Sequence, residues 1–168
     1  MNETLSKTLD QLQARMFFMN KKSDRIASLL KHDFRCIVFA DIFHNDYAHF
    51  WALKAADKIV EIKDLTGTSS LYPAVEAGEE IFETMTDMFS FLYDITVETQ
   101  EQLQEAIDLA EQLNNMFIKV ALEDMIVRLQ KVVYSAEALK NKAILYNENV
   151  ILFDMHAPEW YVKIFDVM

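Results

Sequence analysis

The segment FADIFHNDYAHFW, residues 39–51, decides how the chain is read, because it sits where an apolar helix meets a polar interruption. Placed on a helix, Phe39 to Phe43 continue an apolar surface already marked by Ile26, Leu29, Leu30 and Phe34. An apolar surface nearly all round belongs to a central helix. The pattern predicts that this helix starts near Arg25, behind a cap at Ser23 and Asp24, and stops at Asn45 or Asp46. Either of these residues would cap the next helix, through Trp51, Leu53, Ile59 and Ile62. The segment also pairs Asp41 with His44 and Asp46 with His49, each at i,i+3. His44 and His49 are five residues apart, about 140° round an α-helix, so on one straight α-helix they do not share a metal. Polar pairs at a cap or core edge are the simpler expectation.

Outward from that point the periodicity stays helical. Leu5, Leu9, Leu12 and Met16 give residues 3–20 an amphipathic face. DLTGTSS, residues 64–70, reads as a loop, and Pro73 suits the first turn of a helix with Ile81, Phe82, Met85, Phe89 and Leu92 on its apolar face. ITVET, 95–99, reads as a break with a threonine cap, before Leu103, Ala106, Ile107, Ala110 and Leu113. Asn114 and Asn115 interrupt the pattern again ahead of Ile118, Ala121, Met125, Leu129 and Val132. The tail, 147–168, is rich in β-branched and aromatic residues around HisAlaProGlu and is expected to form a β-hairpin, with a last helix opened by Pro158 as the alternative.

Two Gly and two Pro in 168 residues leave little turn chemistry for a sheet. The expected fold is therefore all-α, an antiparallel helical bundle with a short C-terminal hairpin. One domain, 1–168, is expected: N-terminal helices in 1–70, further helices in 72–146 and the tail in 147–168. The same shortage excludes Gly-rich phosphate loops and dinucleotide fingerprints. A net charge of −11 argues against direct binding of nucleic acid. The one cysteine, Cys36, excludes an internal disulfide, and its apolar surroundings make it a small hydrophobe. No apolar run reaches membrane-spanning length and the N-terminus is not a secretory signal, so the cell interior is the expected location.

VEAGEEIFETMTD, 75–87, carries Glu76, Glu80, Glu83 and Asp87 on one helical stripe, with Glu79 beside it. Like charges at this spacing repel. If helices 74–94 and 99–113 turned back on each other near residue 96, Glu83 and Asp108 would come level, with Glu80 and Glu105 close by. Four carboxylates converging in that way suit a hard cation such as Mg²⁺.

GEEIFE, 78–83, followed by EAID, 105–108, resembles the Glu-Glu-x-x-Glu and Glu-x-x-Asp elements of the all-α nucleoside-triphosphate pyrophosphohydrolases, the MazG-type enzymes and phosphoribosyl-ATP pyrophosphohydrolase. The resemblance extends over about residues 72–130. It implies Mg²⁺-dependent cleavage of a nucleotide substrate to monophosphate and pyrophosphate. Glu80, Glu83, Glu105 and Asp108 would hold the metal, and Glu79 would assist catalysis. A homo-oligomer is implied too, because that family completes its sites between subunits. No triphosphate-gripping motif accompanies these acids; Lys54, Lys58, Lys63, Arg128 and Lys131 are the cations near the relevant segments.

Two other readings stand beside this one. An acidic helical bundle can serve as a non-enzymatic module, an inhibitor, immunity protein or nucleic-acid mimic, drawn to a basic protein partner by its charge. Length, acidity and helix content also suit a ferritin-like metal-binding bundle, although the Glu-x-x-His of di-iron bundles is absent from the chain.

Overall fold

The long helices expected from the scarcity of Gly and Pro are present, with different ends. In the computed structural model, which describes residues 1–164, α1 spans Glu3–His32 and is capped by the Asn2 side chain. Ser23 and Asp24 lie inside it and cap nothing, since no helix breaker interrupts the run. A tight turn with Arg35 at φ 59° leads to α2, Ile37–Phe43. A π-helical segment, His44–Leu53, follows without a break, and α3, Lys54–Leu65, completes the rod. The remaining helices are α4, Met85–Gln112, α5, Met116–Leu145, and the short α6, Val150–Trp160.

The chain turns with few glycines because asparagine takes their place. Gly67, φ 71°, closes α3, with the amides of Gly67 and Thr68 donating to Asp64 and Lys63 carbonyls. Asn114 at φ 54° makes the same double closure of α4, and Asn147 at φ 49° that of α5. This is the left-handed C-terminal stop that Gly, and less often Asn, provides. Asn115 and Asn149 then accept from Ile118 and Leu152 amides to start α5 and α6. The expected interruption at 114–115 is thus one helix ending and the next beginning.

ITVET is no break. Thr96 and Thr99 are buried in mid-α4 and donate their hydroxyls back to the Leu92 and Ile95 carbonyls at 2.6 and 2.7 Å. Threonine satisfied in this way has no need to cap. The helix expected from Pro73 is absent as well: residues 66–84 are a long connection. It runs up the side of α1, from Leu71, whose amide donates to Asp10, to Glu80, whose carbonyl accepts from Arg25. Because it returns to the far end of α1, α4 runs antiparallel to α1 and parallel to the α2–α3 rod. Arg15 fixes that register by donating to Thr99 Oγ1 and the Ile95 carbonyl, both at 2.9 Å.

The C-terminal stretch forms α6, not a hairpin, and no strand occurs among the described residues; 165–168 lie outside them. Phe153 and Ala157, four apart, give it a buried face, and Pro158 falls in the last turn. From there Asp154 reaches α2, accepting from the Val38 and Phe39 amides at 3.1 and 2.7 Å. Glu148 does the same for the Met85 and Thr86 amides at the start of α4. These carboxylates satisfy helix N-termini from afar, where charge also suits the helix dipole. We expect Asp154→Ala to destabilise the protein by about 1–2 kcal/mol, read as a lower urea midpoint with an unchanged m-value. Asp154→Asn should recover part of the loss.

One contiguous core joins all the helices, from Leu5 on α1 to Ile164 after α6. Among the described residues no helix is long and apolar enough to cross a membrane.

Candidate metal centre

The π-helical segment changes the geometry of the two histidines. With i→i+5 hydrogen bonds the helix takes more than four residues per turn, so a five-residue step brings side chains back to nearly the same face. The His44 and His49 rings stand 4.7 Å apart, centroid to centroid, edge to face. Asp24 of α1 faces them, with Oδ1 2.9 Å from His44 Nε2. Among the described residues, Asp24, His44 and His49 are the one group of three such ligands with atoms within 4.8 Å of one another. His44 is half-buried while Asp24 and His49 are exposed, so an ion would reach the site from solvent. Two imidazoles and one carboxylate suit a divalent transition ion and leave a coordination position open.

The expectation that these histidines cannot cooperate is therefore corrected, by a helix type that hydrophobic periodicity does not reveal. The pairs drawn from the sequence are also rearranged. Asp41 binds Lys31 at 3.0 Å. Asp46 is buried and accepts from Tyr161 Oη at 2.5 Å and from the Ile164 amide at 2.7 Å. Asp24, at the position where a cap is expected, meets ligand partners that lie on another rod, beyond the reach of sequence spacing.

The carboxylates of the acidic elements do not converge. Glu79, Glu80 and Glu83 belong to the irregular connection, and Glu105 and Asp108 sit near the far end of α4. With α4 continuous through residue 96, Glu83 and Glu105 are separated by about 30 Å of helix. Glu79, Glu83 and Glu105 are exposed, and Asp108 accepts from Gln104 at 2.8 Å. Glu80 pairs with the buried Lys22, which also meets Glu76 at 3.1 Å. Burial opposes the charge on Lys22, but the hydrogen bonds to Glu80 and Glu76 outweigh it and raise its pKa. The acidic stripe is thus offset in part by lysine, and the arrangement gives no support to Mg²⁺ there.

The bundle interior is equally unlike a metal centre. Among the described residues its buried polar side chains are Asp10, Gln13, Lys22, Ser23, Asp46, Lys63, Thr96 and Thr99, with no Glu or His. Asp10 is paired with Lys63, which is fully buried, and Asp46 is engaged as described. Cys36 is buried too, and burial together with Asp154 pushes its thiol well above the usual range, so it stays neutral and unreactive.

Two helical hairpins joined by one long crossover are the ferritin-like arrangement of a four-helix bundle. Solved structures agree. An open-pore ferritin from the hyperthermophilic archaeon Archaeoglobus fulgidus superposes with a TM-score of 0.86 at 16% identity, over 93% of this chain and 95% of that one. This is a ferritin-like fold. A closed form of the Archaeoglobus fulgidus ferritin, engineered by site-directed mutagenesis, gives 0.85 at 17% identity over 93% and 95% of the two chains. A humanized archaeal ferritin gives 0.85 at 15% identity over 93% and 94%. No protein-family model matches the sequence, and no curated protein matches it.

The likeness overturns the resemblance to the MazG-type pyrophosphohydrolases. Nucleotide cleavage falls with it as the leading reading, and neither a nucleotide nor a basic partner gains support. What the likeness shows is the fold, a ferritin-like bundle. Its interior nevertheless lacks the di-iron donor set, a Glu from each of two helices with Glu-x-x-His from each of the others. Lysine, thioether and aliphatic side chains occupy the inside, so an interior iron pair does not fit.

Proposed function

We propose that this chain is a ferritin-fold metal-binding protein that takes a divalent transition ion at Asp24, His44 and His49, on the outside of the bundle. The observation carrying this reading is the approach of those three ligand groups across α1 and the π-helical segment. The likeness to ferritins supports a metal-handling role, and the chemistry of the interior directs that role to the surface. Association of copies belongs to the same reading: Phe117, Val120, Val127 and Tyr134 leave an apolar face on α5 exposed.

His44 Nε2 and Asp24 Oδ1 already stand 2.9 Å apart. An ion bound there would compete with protons for the imidazole nitrogens, so uptake should weaken in acid, as ligation needs neutral imidazole. We expect Zn²⁺ or Co²⁺ at about 100 times Kd to stabilise the protein by about 2.7 kcal/mol. Calorimetric titration and thermal melts read the effect, and His44→Ala with His49→Ala should abolish it. An equal gain in the double variant would place the ion elsewhere and sink the proposal.

A further inference from the structure

Between the four rods this chain has a chamber of about 230 Å³. Met16 of α1, Trp51 of the π-helical segment, Leu103 of α4, and Met125 and Leu129 of α5 line it, all buried. Its rim is different. Lys54, Lys58 and Arg128 stand there with Asp124 and Ala55, so the lining carries three cations against one anion in a chain of net charge −11. Lys54 Nζ lies 5.0 Å from the Phe50 ring centroid, Lys58 holds Glu61 at 2.9 Å, and Arg128 holds Asp124 at 3.1 Å. These are exposed one-to-one contacts at i,i+3 and i,i+4, worth little individually and readily exchanged for another anion.

A positive mouth above an apolar floor repels metal ions and attracts an amphipathic anion. We propose that the chamber binds a small organic carboxylate whose apolar body enters between Trp51, Met16 and Leu103 while its head meets Arg128 and Lys54. Size narrows the class. An engineered cavity of about 150 Å³ holds benzene, and drug-sized ligands need about 300 Å³ or more. A single ring or short alkyl chain bearing one carboxylate therefore suits this volume. Apart from the Trp51 indole N–H, the floor residues are thioethers and aliphatic side chains with little to recognise a polar body; thioethers and an indole favour an aromatic one. The inference is independent of the surface metal site, which uses other residues.

The test compares 3-phenylpropionate with the uncharged 3-phenylpropan-1-ol by calorimetry and by tryptophan fluorescence. The acid should bind at least about tenfold more tightly than the alcohol, and its advantage should shrink as salt screens the rim. Lys54→Gln with Arg128→Gln should remove that advantage and leave the alcohol's affinity unchanged. Leu103→Phe should fill the chamber and abolish both; if it prevents folding, Ala55→Leu at the rim gives the same readout. Failure of the acid to bind at millimolar concentration, equal affinity for acid and alcohol, or full binding in a folded chamber-filled variant would each overturn the proposal.

Discussion

Asp10→Ala is expected to destabilise the protein by about 3–5 kcal/mol, because it leaves a buried ammonium group without its counter-charge. Lys63 is fully buried, and its partner Asp10 is nearly so. The same carboxylate accepts from the Leu71 amide at 2.9 Å, so the first residues of the connection lose their anchor to α1 as well. For a chain of this length each kcal/mol lowers Tm by about 2–4 °C, so a fall on the order of 10 °C should appear in a thermal melt. The sharper result is the double variant. Replacing both partners, Asp10→Leu with Lys63→Met, removes the stranded charge and should restore most of the lost stability. If Asp10→Ala melts within a degree of wild type, the pair is not desolvated as its burial implies.

Phe39→Ala is the second large effect, expected to cost about 3–5 kcal/mol. The ring is fully buried and meets Phe153 and Tyr161 edge to face at 5.4 and 5.1 Å, with Trp160 at 6.2 Å and Phe43 at 6.1 Å. It is the point at which α2 holds α6 and the residues after it. Removing it leaves a cavity and withdraws the partner of three aromatic side chains, Phe153 and Trp160 of α6 and Tyr161 just after it. Beyond a lower Tm, near-UV circular dichroism should lose intensity as Trp160 loosens, with helical far-UV signal largely kept. Phe39→Leu, which keeps most of the volume, should cost clearly less. A near-UV spectrum unchanged by Phe39→Ala would show that α6 is held by other contacts, Asp154 first among them.

Much of the architecture follows from composition and spacing alone. Few Gly and Pro with apolar residues three and four apart give long helices and no sheet, and Asn114 with Asn115 marks a true junction. Where the sequence misleads, a local signal is overruled by distant partners. Thr96 and Thr99 look like caps but are satisfied within a helix that packing keeps whole. Pro73 looks like a helix start, yet Lys22, Arg25 and Asp10 hold the connection extended along α1. The tail looks β-like, but the buried aromatic cluster rewards the four-residue spacing of Phe153 and Ala157.

The sequence by itself determined an acidic all-helical bundle, its apolar faces, and which residue types were on hand for chemistry. Those properties depend on near neighbours in the chain, which periodicity and capping report. Tertiary structure decided which groups come together: Asp24 with His44 and His49, Lys63 with Asp10, and Lys54 and Arg128 on the rim of one chamber. A helix register that departs from 3.6 residues per turn, and a connection that sends α4 back beside α1, are set by the packing of whole rods. No short window of sequence contains that information.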